Sequence, residues 1–216
     1  MSDNFKPSEI CWHSLLDFPV TDIFCNRGLQ NRYLTQTAKV KLTHSLPVKA
    51  FSESVQNWFL ERNLELLPSM VFYRGNKSVN TALHVDLAGP VLDEDSYTNL
   101  DSLVYCNVGI NIEISGKGVM KFWKVSSEGA KFCLTEAKTP FIKWPTTTVP
   151  VLIDETMFTE GPCLVKTNIP HSVDGLEFPR VLVSLRFAEK GYSKTATWER
   201  SLELLKNDLI KREILV

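Results

Sequence analysis

The sequence predicts a mainly β domain of the α+β kind, an antiparallel sandwich or barrel with helices added at its two ends. Three observations predict it. Residues 69–187 divide into many short apolar runs separated by turn residues. One run, Leu103 to Ile114, alternates with a period of two. The stretches before and after carry apolar residues near helical spacing instead.

Residues 1–47 are mixed, with turn signals at Pro19, Gly28 and Pro47. Val48 to Leu67 reads as an amphipathic helix. Val48, Phe51, Val55, Trp58, Phe59 and Leu66 recur near helical spacing, and Pro68 stops the run. Met70 to Tyr73 is a short strand ended by Gly75-Asn76, and Thr81 to Leu87 is the next. In Leu103 to Ile114, Val104, Cys106, Val108, Ile110, Ile112 and Ile114 share the face toward a core. Tyr105, Asn107, Gly109, Asn111 and Glu113 share the wetter face. Ser115-Gly116-Lys117-Gly118 then predicts a hairpin into Val119–Val125. Further strands are expected at 131–135, 149–154, 162–167 and 180–187. The tail is expected to be helical over about 195–215, with Trp198, Leu202, Leu205 and Leu209 as its apolar stripe. The whole 216-residue chain reads as a single domain, with its β core over about 69–188 and a mixed, partly helical segment over 1–68.

Composition narrows the functional classes. Hydrophobic residues make up 44% and charged residues 23%, as in ordinary globular proteins, and the formal net charge is -1. The lack of a basic stripe weighs against a nucleic-acid partner, and nothing favours an anionic membrane. The five cysteines, Cys11, Cys25, Cys106, Cys133 and Cys163, are scattered and show no C-x-x-C pair. That argues against a disulfide framework or a thiolate zinc site and for a reducing compartment. No apolar run is long enough to span a bilayer, and the N-terminus has no apolar signal core, so the expectation is a cytoplasmic protein.

The chemistry is carried by two short histidine motifs. In Leu83-His84-Val85-Asp86-Leu87, His84 and Asp86 are two apart, so on a strand both point to one face. His171 follows Pro170, far downstream. Two histidines and one carboxylate can hold Fe(II) on one face and leave the opposite face open. A jelly-roll barrel would bring the motifs together, because its neighbouring strands come from distant parts of the chain. The plainer alternative is a core histidine satisfied by Asp86 and a turn residue at 171. Downstream, Arg180, Leu182, Ser184 and Arg186 share a strand face, opposite Val181, Val183, Leu185 and Phe187. An arginine facing a barrel interior needs an anion, and guanidinium binds a carboxylate through two parallel hydrogen bonds. A surface salt bridge is the competing account of Arg186.

Met70-Val71-Phe72-Tyr73-Arg74-Gly75-Asn76 before Leu83-His84-Val85-Asp86, then Gly118-Val119-Met120-Lys121-Phe122-Trp123, then Pro170-His171-Ser172-Val173 and Pro179-Arg180-Val181-Leu182-Val183-Ser184 stand in a telling order. With them, residues 70–187 resemble the Fe(II)- and 2-oxoglutarate-dependent dioxygenases, and within these the prolyl-hydroxylase-like branch. The resemblance covers a little over half of the chain. It implies a double-stranded β-helix (jelly-roll) core with flanking helices, and His84, Asp86 and His171 as iron ligands. It implies Arg180 as partner of the far carboxylate of 2-oxoglutarate, with Tyr73 touching the same group. Arg186 competes for that role, because Ser184 lies four residues beyond Arg180 and no R-x-S pair is present. Asn107 and Asn111 are candidates to line the pocket.

The activity implied by the resemblance is hydroxylation. Fe(II) and the co-substrate 2-oxoglutarate activate dioxygen, and succinate and carbon dioxide are released. The substrate is an unidentified amino acid, peptide side chain or small metabolite. Rival readings are a cupin-like jelly-roll binding protein without oxygenase activity, a zinc-dependent hydrolase or isomerase on the same ligands, and an oxygenase relic serving as a scaffold. Substrate choice is expected to lie in the loop at 88–102, including Asp93-Glu94-Asp95, and in the N-terminal segment. The final helix is the one candidate interface for a second copy of the chain.

Overall fold

The structure is a computed structural model that describes residues 8–28, 31, 41–75, 81–87, 106–135, 139–158, 161–210 and 212. The loop at 88–102 and the upstream part of the alternating run, 103–105, lie outside them.

Two long strands form the spine. β5 (Val108–Lys124) and β10 (His171–Glu189) pair antiparallel along both of their halves. Alternation decides which side chains meet. Val108, Ile110 and Ile112 join Val181, Val183, Leu185 and Phe187 in one core, while Met120, Phe122 and Leu182 join a second. The first lies between sheet and helices, and the second fills the barrel.

The expected hairpin at Ser115-Gly116-Lys117-Gly118 does not form. Residues 108–115 and 117–124 belong to one strand, and each half pairs with β10 rather than with the other half. Gly116 has φ +71°, where a Cβ would come within 2.5–2.7 Å of backbone atoms at Glu177, Pro179 and Arg180. The ladder shifts register between Gly175 and Leu182. The glycine turn is therefore the corner at which a two-stranded ribbon passes from one sheet to the next.

Each half of the ribbon is widened by further strands. The 108–115 half of β5 pairs with β9 (Cys163–Lys166), then β1 (Trp12–Leu15) and β11 (Leu209–Ile210). On the other side, the 180–189 half of β10 pairs with β3 (Leu64–Arg74), which pairs with β2 (Lys41–Leu46). The other halves take β8 (Val151–Met157) on one side. On the other they take β4 (His84–Asp86), β7 (Pro140–Lys143) and β6 (Lys131–Leu134). Early and late segments thus alternate as neighbours, which is the jelly-roll order. The fold is mainly β.

The expected helix over 48–67 is a correction. A short 3-10 turn, Val48–Ala50, precedes α1 (Glu53–Leu60). Ser52 caps α1, its Oγ accepting from Val55 N at 3.2 Å, and Glu53 suits the positive end. Val55, Trp58 and Phe59 bury against the outer face of the sheet. Asn63 at φ 57° reverses the chain, and Leu64 and Leu66 then alternate as strand residues opposite Glu189 and Phe187. Pro68 does not end a helix. It sits where β3 bulges, and Ser69 Oγ accepts from Arg186 N at 2.9 Å, satisfying a donor at that irregularity.

The expected C-terminal helix is shorter too. α2 (Trp198–Leu204), capped by Thr197 Oγ1 accepting from Arg200 N, ends well before 215. Leu209 and Ile210 are instead strand β11. Trp198, Leu205 and Leu209 lie in the protein's own core. No helix among the described residues is long and apolar enough to cross a membrane.

This seam contains a titratable group. His13 is buried, stacks on Trp198 with 5.8 Å between ring centroids, and has Nδ1 3.3 Å from Ile210 O. Burial lowers its pKa. The Ile210 carbonyl opposes this, Arg212 adds to it, and Asp154 opposes it. With the folded pKa below the ordinary 6.5, stability is full above that value and is lost as pH falls through the folded pKa. The melting temperature is expected to drop between about pH 7 and about pH 5, and His13→Phe to remove part of the drop. An unchanged pH profile in the variant would refute the assignment.

Candidate metal centre

β4 contributes His84 and Asp86 from one face, and the first residue of β10, His171, is the register partner of His84. The two imidazole centroids are 4.3 Å apart, and ligand atoms of His84, Asp86 and His171 all lie within 4.8 Å of one another. His171 is buried, and the two β4 residues are half-buried. The chain approaches both histidines in the same way. His84 Nδ1 is 2.8 Å from Ala82 O, and His171 Nδ1 is 2.9 Å from Ile169 O. Nδ1–H donating to a carbonyl two residues back fixes the tautomer and leaves the lone pair on Nε2, the arrangement a metal ligand needs. Burial pushes the His171 pKa below its ordinary value against the pull of Asp86, which favours the neutral, ligating form.

Asp86 uses its two oxygens differently. Oδ2 accepts from Arg186 Nη2 at 2.6 Å, and Oδ1 lies 3.7 Å from His84 Nε2. Burial works to raise its pKa, but Arg186, His171 and His84 together hold the carboxyl below its ordinary value. Arg186 is itself held in place. Nη1 donates to Ser184 Oγ at 2.9 Å, and Ser184 Oγ donates to Asn111 Oδ1 at 2.5 Å. A Cβ on Gly109 would come within 2.0 Å of Nη1, so the guanidinium reaches Asp86 across that glycine. Arg186 is thus spent on a candidate ligand. That is a specific interior role rather than the surface salt bridge considered as its alternative.

Arg180 lies elsewhere in the interior. It is 3% exposed, and its Nε donates to Glu113, whose carboxyl burial pushes above the ordinary range despite Arg180. Its Nη2 is buried and has no partner among the described residues. Across the β3–β10 ladder its register partner is Arg74, also buried, whose pKa falls to about 10 through burial and then the proximity of Arg180. Arg180 pairs with Glu113, while Arg74 donates Nη1 to Tyr73 O at 3.0 Å, so two buried guanidiniums stand beside one carboxylate and one donor is unused.

The Tyr73 ring lies on the other face of the sheet from this cluster, although its carbonyl accepts from Arg74 Nη1 at 3.0 Å. It belongs to the outer core with Val71 and Val181, whereas Phe72 packs with Leu182 on the barrel side. Asn107 Oδ1 accepts from Asn168 Nδ2 at 3.4 Å. Asn111 is the asparagine wired toward the centre. Arg74 escaped the reading of the sequence. Its signal was the parity of Phe72 and Arg74 on one strand, which places an arginine on the face opposite Tyr73.

No family model matches the chain, and no curated protein matches it. One solved structure similar in outline is of oxalate oxidase, from structural and spectroscopic work on that enzyme's mechanism. It is 7% identical over 94% of this chain and 92% of that one, with a TM-score of 0.29. A likeness at that level carries no argument, and the strand order and side-chain positions stand by themselves.

Proposed function

We propose that this chain is an Fe(II)- and 2-oxoglutarate-dependent oxygenase that hydroxylates an amino acid, a peptide side chain or a small metabolite. The observation that carries the reading is the convergence of His84, Asp86 and His171, both imidazoles held by backbone carbonyls. Two nitrogens and one carboxylate oxygen suit a d-block cation with open positions. Fe(II), when bound there, supplies the oxidative step in which 2-oxoglutarate and dioxygen give succinate and carbon dioxide and one oxygen atom converts a C–H bond to C–OH.

The chain's own residues have three tasks in this reading. His84, Asp86 and His171 hold the metal. Arg186, backed by Ser184 and Asn111, keeps the Asp86 carboxylate ionised and oriented. Arg180 offers Nη2 to the far carboxylate of 2-oxoglutarate, with Arg74 adding positive charge alongside. None of the five cysteines is in a disulfide, which fits a cytoplasmic setting.

A second reading has one observation in its favour. Arg180 already has an anion in Glu113, as it would in a jelly-roll binding protein without oxygenase activity. Spectroscopy separates the two. Anaerobic addition of Fe(II) and then 2-oxoglutarate is expected to produce the weak visible charge-transfer band of the chelate. The band should be absent in His84→Ala and His171→Ala. Well-folded wild-type protein that retains iron but gives no band with 2-oxoglutarate would favour the second reading.

A further inference from the structure

The sheet that carries the candidate metal ligands continues past β4. β7 pairs with β4 so that His84 faces Lys143 and Asp86 faces Phe141, and β6 continues the ladder with Lys131 opposite Lys143 and Cys133 opposite Phe141. Partners in an antiparallel ladder share a face. Two rows therefore run outward from the centre, His84–Lys143–Lys131 and Asp86–Phe141–Cys133. The His84 and Phe141 rings meet edge to face, 6.2 Å apart at 90°. The opposite face is closed by Val85, Leu87, Ile142 and Trp144, with Phe132 packed against them. Among the described residues the face with the ligands has no such cover. Phe141 is half-buried, and Lys143 and Lys131 are exposed. Among the described residues neither lysine has an ion-pair partner.

We infer that the primary substrate is an organic acid whose carboxylate or phosphate is held by Lys143 and Lys131 and whose carbon frame crosses Phe141. This rests on the oxygenase reading and names the substrate class for it. Strands in a sheet are spaced about 5 Å apart, so the two lysines stand about 5 and about 10 Å from the His84 strand. That sets the separation between the acidic group and the carbon presented to the metal. Two like charges in a row, with an aromatic platform beside them, repel a cationic substrate and give a neutral one nothing to pair with.

The test uses benzoate and phenyl phosphate as probes and benzamide as neutral control, on the full chain with 2-oxoglutarate at saturation. Saturation-transfer NMR reads binding, and broadening of the ring protons by Mn(II) reads nearness to the centre. Both acids are expected to bind and broaden, and the tighter one tells whether carboxylate or phosphate is preferred. Binding should weaken at least tenfold in Lys131→Glu/Lys143→Glu and several-fold in Phe141→Ala. It should be unchanged in Lys49→Glu, a charge reversal on the 3-10 turn. Equal binding of benzamide, or indifference to the paired lysine change, would overturn the proposal. So would probe binding seen only when 2-oxoglutarate is left out, which would place the probe at Arg180. Mn(II) uptake, read by electron paramagnetic resonance, keeps the two readings apart. Uptake without probe binding overturns this proposal alone. Lysine-dependent probe binding without uptake supports the anion surface and overturns the oxygenase reading.

Discussion

Replacing Asp86 by alanine is expected to abolish divalent-metal binding and also to destabilise the metal-free protein. The second effect comes from Arg186. Its guanidinium is buried between Gly109 and Ser184, and among the described residues Asp86 is its one carboxylate partner, at 2.6 Å. Breaking a buried pair on one side leaves an uncompensated charge and costs about 3–5 kcal/mol. Asp86 keeps 23% of its side chain exposed, so water softens the loss and about 2–3 kcal/mol is expected. Asp86→Asn separates the two effects. Its amide oxygen still accepts from Arg186, so stability should change by about 1 kcal/mol or less, while a neutral ligand binds metal far more weakly. Urea unfolding of the apo proteins and calorimetric metal titration are the measurements. Equal stability in the two variants would mean that the Arg186–Asp86 pair contributes nothing net to the fold.

Arg180→Met should raise the 2-oxoglutarate needed for turnover by about 10- to 100-fold, the worth of one charge-assisted pair at about 1.5–3 kcal/mol. It should also change the pH dependence of stability. Burial already holds Glu113 above the ordinary carboxylate range, and Arg180 is the main force against it. An acid with a raised folded pKa is compatible with the fold while protonated, and stability falls as pH rises from its unfolded value through the folded one. Removing Arg180 raises that pKa further. The variant should match wild type in acid and fall behind it as pH approaches neutrality. Arg180→Met/Glu113→Gln should recover the stability but not the co-substrate affinity. Recovery of both would show that Arg180 serves the fold alone.

Much of this was legible in the sequence because alternation is a local signal. Val108, Ile110 and Ile112 declare a core face whatever they pair with, and His84 and Asp86 declare a shared face. Partners are not local. Nothing near Gly116 says that the strand resumes in another sheet, since the cause is backbone at Glu177, Pro179 and Arg180. Leu64 and Leu66 fitted the helical stripe of Val55 and Phe59 because spacing near a boundary satisfies both periods, and only Asn63 turning the chain separates them. The division of labour between Arg180 and Arg186 needed three dimensions. Both sit on the same face of one strand, and the difference is which carboxylate, Glu113 or Asp86, comes within reach.

The position of β10 as the common neighbour of β3, β4 and β5 has a consequence for synthesis. A ribosome adds about 5–20 residues per second, so β5 waits several seconds before residues 171–189 emerge to join its two halves. During that interval β3, β4 and β5 are apolar strands without their shared partner, and local pairing can secure only neighbours such as β6 with β7. Closure is therefore late and non-local, which predicts slow folding and a nascent chain dependent on chaperones.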